Sequence, residues 1–224
     1  MNNKAIAVVG GTGKLGAALS RRLAKAGHRV TIGSRSAENA RTVAEELGYG
    51  IAGMTNSEAA SAGDILIVTV PFAAQEATLA EIAPHARGKI VVDTTVPLMP
   101  PKVMSVQLPA EGSAAARAKR LLGDDVTMVS AFHNVAAGKL AADEDLAGDV
   151  LVFGDDKPAR SAVVELVNAT GLRGVHGGAL ANSAAAEAMT SVLIFINKVY
   201  AAEGAGLQIT GLLTETAGSI RLMA

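Results

Sequence analysis

Short apolar stretches alternate with amphipathic stretches along most of the chain. The segments 4–10 (KAIAVVG) and 64–71 (DILIVTVP) carry hydrophobic residues without polar alternation, which is typical of strands buried on both faces. Between them, Leu15, Leu19 and Leu23 recur four residues apart and predict one buried helix face. Strands that alternate with helices indicate a parallel sheet covered on both sides.

The same patterning predicts the remaining elements. Predicted strands occupy 4–10, 29–34, 49–54, 64–71, 89–95, 126–132, 149–156 and 172–178. Predicted helices occupy about 14–26, 37–47, 73–83, 113–122, 157–170 and 182–203. The segment 96–112 has four prolines and little periodicity, so we expect a loop there. The predicted fold is α/β: a Rossmann-type, mostly parallel sheet with helices on both faces over 1–178, and a small helical C-terminal segment and tail over 179–224.

A glycine motif of the form G-x-G-x-x-G follows the first predicted strand and opens the first helix. We expect Gly11 to permit the tight turn, Gly13 to let a pyrophosphate approach the backbone, and Gly16 to let the helix lie close to the strand. The backbone N–H groups at this helix start attract phosphate. They belong to Thr12, Lys14 and Leu15. The motif predicts dinucleotide binding; the alternative is a turn whose glycines serve packing alone.

The end of the second strand indicates which dinucleotide is bound. An NAD site usually has Asp or Glu there to accept a hydrogen bond from the ribose 2′-hydroxyl. This chain has GSRS (33–36) instead. Ser34 and Arg35 suit a 2′-phosphate, and Arg41 is a second candidate cation. We therefore predict NADP, although Arg35 as a solvated surface residue is the alternative.

Other candidate residues follow the ends of predicted strands, where ligands of open α/β sheets bind. Pro71 and Phe72 are candidates for an apolar wall against a nicotinamide ring; the alternative is that Pro71 is an ordinary strand-ending proline. His133 is a candidate to hydrogen-bond a cofactor carbonyl or to donate a proton, or else a loop histidine bonded to backbone. Asp93 is a candidate catalytic acid, but an Asp before Thr-Thr more often accepts from turn amides.

Composition narrows the function classes. The chain has no cysteine, which excludes disulfides and thiolate chemistry. A net charge of −1 and an aromatic content of 3% argue against nucleic acid and anionic membranes as partners. The segment 189–196 is too short for a membrane span, and the N terminus does not resemble a signal peptide. We expect a soluble, cytoplasmic protein.

No catalytic triad, carboxylate pair or histidine metal spacing stands out in the sequence, so hydride transfer, which needs orientation more than acid–base groups, fits well. The motifs GGTGKLG and GSRS, together with VTVPF (68–72), MVSAFHNVAA (128–137), FGDD (153–156), LANS (180–183) and GAGLQITGL (204–212), resemble the NADPH:coenzyme F420 oxidoreductase family. The resemblance covers most of the chain in one colinear order.

This resemblance implies direct hydride transfer between nicotinamide C4 of NADP and C5 of the deazaflavin F420, in a homodimer or higher homo-oligomer. Residues that would hold NADP are Gly11, Thr12, Gly13, Lys14, Leu15, Gly16, Ser34 and Arg35. Pro71, Phe72 and His133 would line the transfer cleft, with Pro71 and His133 closest to the reaction, and Gly206 and Leu207 would close it. Two alternatives stay open: an NADPH-dependent reductase of an imine, carbonyl or pterin, and a non-catalytic NADP sensor.

Overall fold

An eight-stranded sheet forms the centre of the protein in a computed structural model that describes residues 4–142 and 146–211. The strand order is β3-β2-β1-β4-β5-β6-β7-β8. The strands are β1 Ile6–Val9, β2 Val30–Ser34, β3 Ala52–Thr55, β4 Ile65–Val68, β5 Ile90–Asp93, β6 Thr127–Ser130, β7 Asp149–Phe153 and β8 Arg173–Gly178. Neighbouring strands are parallel except β6 and β7, which meet antiparallel at Ser130 and Phe153. The predicted α/β class with a mostly parallel sheet is confirmed.

The helices cover both faces of this sheet. They are α1 Lys14–Lys25, α2 Ala37–Leu47, α3 Asn56–Ala62, α4 Phe72–Ala86, α5 Ala114–Leu122, α6 Ala137–Ala141, α7 Lys157–Ala169 and α8 Ser183–Tyr200. Sequence patterning missed α3 and α6, which are too short for periodicity to identify. The start of α3 nevertheless carries a local signal, a reciprocal capping box between Thr55 and Glu58.

Alternate residues of the central strands point into two separate apolar layers. Ile6 of β1 packs with Leu19 and Leu23 of α1 in one layer. Ala7 of the same strand packs in the other layer, which includes Leu79 of α4. Because both faces are buried, neither face needs polar residues, and this explains the uninterrupted apolar stretches in the sequence.

Helix α8 is the most exposed of the long apolar elements. The stretch Leu180–Tyr200, which includes the preceding 3-10 turn, has 21 residues and a mean hydropathy of 1.2, enough to cross a membrane by length and composition. One such helix is weak evidence for a span, since helices of soluble proteins meet the same criterion. Leu193 and Ser191 are buried against the rest of the protein, so one face of α8 packs on the domain.

Candidate active site

The glycine motif forms a tight turn between β1 and α1. The backbone N–H of Gly11 donates to the Gly33 carbonyl at 2.9 Å, which ties this turn to the end of β2. A Cβ on Gly11 would lie 2.6 Å from the Val8 carbonyl oxygen, and one on Gly16 would lie 2.5 Å from Thr69 Oγ1. These two glycines are therefore required by close packing within the protein itself.

Gly13 differs from its two neighbours in the motif. A Cβ there would meet nothing nearer than the Gly10 carbonyl oxygen at 3.6 Å, which is ordinary van der Waals contact. Gly13 is also the N-cap residue of α1, where no side chain caps the helix and no acidic residue occupies the first turn. Packing does not explain a glycine at this position, whereas close approach of a phosphate to a positive helix end does. This turn fits a dinucleotide pyrophosphate.

Asn56 supports the glycine turn and was missed by sequence analysis. Its side chain is 2% exposed, and its Oδ1 accepts from the Gly10 N–H at 3.1 Å. Its Nδ2 donates to Glu81 Oε2 at 3.1 Å, which fixes the orientation of the amide. The signal in the sequence was the capping box around it, which places Asn56 at the first position of α3.

The end of β2 lies beside the glycine turn, as the bond from Gly11 to Gly33 requires. Ser34 is buried, and its Oγ accepts a long hydrogen bond of 3.4 Å from the Ser36 N–H. Ser36 caps α2 by accepting from the Asn39 N–H at 3.2 Å. The Arg35 side chain is exposed. The structure thus brings Ser34 and Arg35 together with the glycine turn and leaves the Arg35 guanidinium accessible.

Pro71 and Phe72 lie where β4 ends and α4 begins, next to the end of β1 in the sheet. Pro71 is exposed and is the N-cap residue of α4, and Phe72 is half-buried. The Arg117 guanidinium lies over the Phe72 ring, with 4.9 Å between Cζ and the ring centroid. Arg117 also pairs with Glu76, so Phe72 is held from α5 as well as from its own helix.

His133 is buried, with 6% of its surface exposed. Its Nε2 lies 2.7 Å from Ser130 Oγ, and burial lowers the pKa of its imidazole to about 3. The ring therefore stays neutral at physiological pH, and it is suited to a hydrogen-bonding role rather than to donating a proton as an imidazolium. The backbone beside it is also constrained, since Phe132 has a φ of 66°.

The segment with Gly206 and Leu207 lies against the loop that follows His133. A Cβ on Gly206 would lie 3.8 Å from the Asn134 carbonyl oxygen, and the Leu207 carbonyl accepts from the Asp149 N–H at 2.8 Å. His133, Gly206 and Leu207 therefore belong to one neighbourhood. Leu212, the last residue of the GAGLQITGL motif, and the tail that follows lie outside the described residues.

Asp93 has the turn role that sequence analysis weighed against a catalytic one. Its Oδ1 accepts from the Thr95 N–H at 3.2 Å and from Thr95 Oγ1 at 2.6 Å. Across the part of the chain that the structure describes, no group of three or more metal-ligating side chains is close enough to hold an ion.

Comparisons with known proteins identify the family of this chain. The model of the family described as NADP oxidoreductase, coenzyme F420-dependent, matches residues 5–97. The F420-dependent NADP reductase of Methanothermobacter thermautotrophicus is 38% identical, covering 92% of this chain and 95% of the relative. The reductase of the same description from Methanocaldococcus jannaschii is 35% identical, covering 92% and 98%.

Solved structures share the fold. An Arthrobacter sp. FB24 protein, provisionally assigned as an F420-dependent NADP reductase, superposes with a TM-score of 0.80 at 23% identity and covers 92% of this chain and 99% of its own. An imine reductase from Myxococcus stipitatus gives a TM-score of 0.63 at 20% identity over 89% of this chain and 62% of its own. The structural likeness shows the fold, and the curated relatives show the family: this chain belongs to the F420-dependent NADP reductases.

Proposed function

We propose that the protein catalyses hydride transfer between NADP and the deazaflavin coenzyme F420. NADPH supplies a hydride from nicotinamide C4, the deazaflavin accepts it at C5, and solvent supplies the proton that completes its reduction. The observation that carries this proposal is the extent of similarity. The curated reductases match 92% of the chain at 35–38% identity, far beyond the nucleotide-binding part that the family model covers.

The residues around the glycine turn hold NADP in this proposal. The N–H groups of Thr12, Lys14 and Leu15 face the pyrophosphate across the open side of Gly13, as expected for an uncapped helix start. Ser34 and Arg35 bind the 2′-phosphate, the serine through its hydroxyl and the arginine through its planar cationic fork.

The residues of the transfer cleft orient the two rings and exclude water. Pro71 and Phe72 form the apolar wall against the nicotinamide. Neutral His133 offers a ring nitrogen as a hydrogen-bonding group, and Gly206 and Leu207 cover the cleft from the C-terminal segment. Since the His133 imidazole has a lowered pKa, we assign it positioning of a ring and not proton transfer. In this proposal the two predicted domains have separate roles: 1–178 binds NADP, and 179–224 closes the cleft.

We expect the purified protein to oxidise NADPH in the presence of F420, with loss of the oxidised deazaflavin absorbance at the same rate. Replacing NADPH by NADH should lower kcat/KM by about 100-fold, because the ribose then lacks the phosphate that Arg35 binds. NADPH binding without turnover of F420 would contradict the proposal and favour a sensor.

A second candidate is an NADPH-dependent imine reductase, which the likeness to solved imine reductases brings into consideration. The chain covers 62–63% of their length at 17–20% identity, so this likeness shows the fold alone. Its tyrosines are also poorly placed as proton donors, since Tyr49 and Tyr200 are both exposed and lie away from the strand ends. A cyclic imine as substrate in the same assay tests this candidate.

We also propose a soluble, cytoplasmic homo-oligomer whose subunits meet through α8. Five apolar side chains of this helix are 37–75% exposed and fall largely on one face: Met189, Val192, Phe195, Val199 and Tyr200. A contiguous apolar face of this kind marks an interaction surface. A second copy of the same helix is the partner we infer, because an apolar face packed against its own copy is self-complementary.

We expect a Val192→Glu variant to elute as a monomer of about the 22.6 kDa chain mass, because a carboxylate in the centre of an apolar interface is costly to bury. Light scattering after size exclusion measures this directly. Val106→Glu is the matched control, since Val106 has a similar exposure of 49% but lies in the 96–112 loop. A monomeric wild-type protein at micromolar concentration would contradict the interface.

A further inference from the structure

A buried polar cluster occupies the point where β5, α4, α5 and α8 meet. It contains two carboxyl groups, Asp93 at the end of β5 and Glu187 in the second turn of α8, and each is 1% exposed. The amide of Gln75 from α4 lies between them and is fully buried. Buried carboxyl groups are rare without a paired cation, so this cluster needs an explanation.

The hydrogen bonds of the cluster join three helices and one strand. Glu187 accepts from the backbone N–H of Ala114 at 2.6 Å and of Ala115 at 3.1 Å, the first two residues of α5. Gln75 Nε2 donates to Asp93 Oδ2 at 2.7 Å and to the Ala114 carbonyl at 3.0 Å. These bonds connect the elements in series, from β5 through α4 and α5 to α8, so movement of any one element would break the bonds to its neighbours in the series.

The same elements carry the residues proposed to line the transfer cleft. Phe72 lies in the first turn of α4, one turn before Gln75, and is covered by Arg117 of α5. On the other side, α8 holds the loop after β6. Thr190 Oγ1 donates to the His133 carbonyl at 3.0 Å, and Asn134 Nδ2 donates to the Ala186 carbonyl at 2.9 Å. Glu187 lies between these two attachment points on α8.

We propose that Glu187 is a positioning residue for hydride transfer: by holding the start of α5 against α8 it sets the spacing between the Phe72 wall and the His133 loop, and ionisation of its buried carboxyl makes this spacing depend on pH. The inference rests on the proposed function, because the spacing matters for catalysis only if these walls enclose the deazaflavin. Glu187 touches neither coenzyme in this scheme.

Both carboxyl groups are buried without a cation, which favours retention of a proton. Asp93 accepts from Gln75 and Thr95, and Glu187 accepts backbone N–H groups. Gln75 Oε1 is buried and has no partner. Within residues 4–142 and 146–211, no Lys, Arg or His side chain bonds to either carboxyl. The Glu187 carboxyl thus meets backbone amides of α5, and Asp93 is the charge that faces it.

Electrostatics agrees with this geometry. Burial raises the pKa of the Glu187 carboxyl to about 7, and the nearby Asp93 charge contributes to the increase. Burial also raises the pKa of Asp93 to about 6, although its hydrogen bonds with Thr95 and Gln75 oppose the change. Since the pKa of Glu187 is the higher of the two, Glu187 keeps its proton to a higher pH than Asp93 does.

The direction of the pH effect follows from linkage. Both carboxyls bind protons more tightly in the folded protein than in the unfolded chain, where their pKa values are near 3.8 and 4.5. Their contribution to stability is therefore complete at acidic pH and is lost as pH rises through about 6 and 7. The bonds from the Ala114 and Ala115 N–H groups favour the ionised carboxyl, whereas burial and the Asp93 charge oppose it. We therefore expect the packing around the cluster, rather than these two bonds, to weaken in this window and the KM for F420 to rise.

The decisive variant is Glu187→Gln, studied with protein saturated with NADPH between about pH 5.5 and 8.5. We expect the wild-type KM for F420 to rise by about tenfold across this window, which corresponds to about one pKa unit of coupling. In Glu187→Gln we expect this rise in KM to be absent. Any pH dependence of KM that remains then comes from titration of F420 itself. The affinity for NADPH changes by less than about twofold, because its pyrophosphate and 2′-phosphate bind at the glycine turn and at the end of β2, away from this cluster.

Glu165→Gln is the matched control, since Glu165 is an exposed residue of α7 and loses the same charge. It should keep the wild-type profile. Asp93→Asn serves as a second variant: removal of the facing charge should shift the titration of Glu187 to lower pH. This variant decides the question if Glu187→Gln fails to fold.

An NMR measurement that needs no turnover distinguishes failure of this inference from failure of the proposed function. The backbone amide NMR signals of Ala114 and Ala115 in the NADP-bound protein should titrate with Glu187, shift their midpoint in Asp93→Asn, and stop titrating in Glu187→Gln. Titrating amides without hydride transfer to F420 would reject the proposed function and support the titration of Glu187 in this cluster. Amides that do not titrate, or a Glu187→Gln variant with the wild-type KM profile, would overturn the inference.

Discussion

We expect Arg35→Asp to weaken NADPH binding by about 100-fold or more, while the affinity for NADH changes by less than about threefold. A charge-assisted hydrogen bond to phosphate contributes roughly 1.5–3 kcal/mol, and each 1.4 kcal/mol corresponds to about tenfold in affinity. The introduced carboxylate adds repulsion against the 2′-phosphate and can accept from a 2′-hydroxyl, as the acid of an NAD site does. Arg35 is exposed at the end of β2, so we expect the variant to fold and the change in affinity to reflect binding alone.

Fluorescence titration of each nucleotide measures this change. Arg29→Asp is the matched control because Arg29 is exposed and precedes the same strand, β2, at its opposite end. The control should bind both nucleotides like the wild type, since the two charges are separated by the length of the strand. Equal losses of NADPH and NADH affinity in Arg35→Asp would show that Arg35 does not recognise the 2′-phosphate.

We expect Gly13→Val to lower the affinity for NADPH by at least about 100-fold and to leave the free energy of unfolding within about 1 kcal/mol of the wild type. The nearest atom to a Cβ at this position is 3.6 Å away, and the residue has extended backbone angles of φ −73° and ψ 163°. A Cβ at this position therefore makes only ordinary contacts within the protein. The valine side chain would occupy the space through which the pyrophosphate approaches the backbone.

In contrast to Gly13→Val, we expect Gly16→Ala to lower the free energy of unfolding. Its Cβ would lie 2.5 Å from Thr69 Oγ1 and 2.6 Å from Gly11 Cα, so α1 must move away from the sheet. Overpacking of this kind costs about 1–3 kcal/mol, or a decrease in Tm of several degrees for a chain of this size, at roughly 2–4 °C per kcal/mol. Calorimetry together with nucleotide titration distinguishes the two glycines. Unchanged NADPH binding in a folded Gly13→Val protein would contradict a pyrophosphate at this turn.

The parts of the candidate site that are formed by residues close together in the chain could be predicted from the sequence. The glycine motif and the GSRS segment each lie within a few positions of the strand that presents them, and strand periodicity is a local property. The boundaries of α1 and α2 were within one or two residues of those observed. The roles of the glycines were predicted as a set, but only the structure separated Gly13, which faces open space, from Gly11 and Gly16, which face backbone and side chains.

The supporting residues were not predictable because their partners are distant in sequence. Asn56 bonds to Gly10 across 46 positions, and Glu187 bonds to Ala114 across 73. An asparagine in a capping sequence and a glutamate in an alanine-rich helix look like ordinary surface residues. His133 shows the same limit: the sequence placed it at a strand end, whereas its burial beside Ser130 makes it neutral.

The sequence by itself determined the α/β class, the dinucleotide turn and the preference for NADP, because these follow from local periodicity and from the charges next to one strand. The tertiary structure decided the antiparallel entry of β7, the support of the glycine turn by Asn56, and the burial of Asp93 with Glu187. Each of these depends on which distant segments share a desolvated space. Burial changes the energy of a polar or ionisable group by more than its neighbours in sequence do.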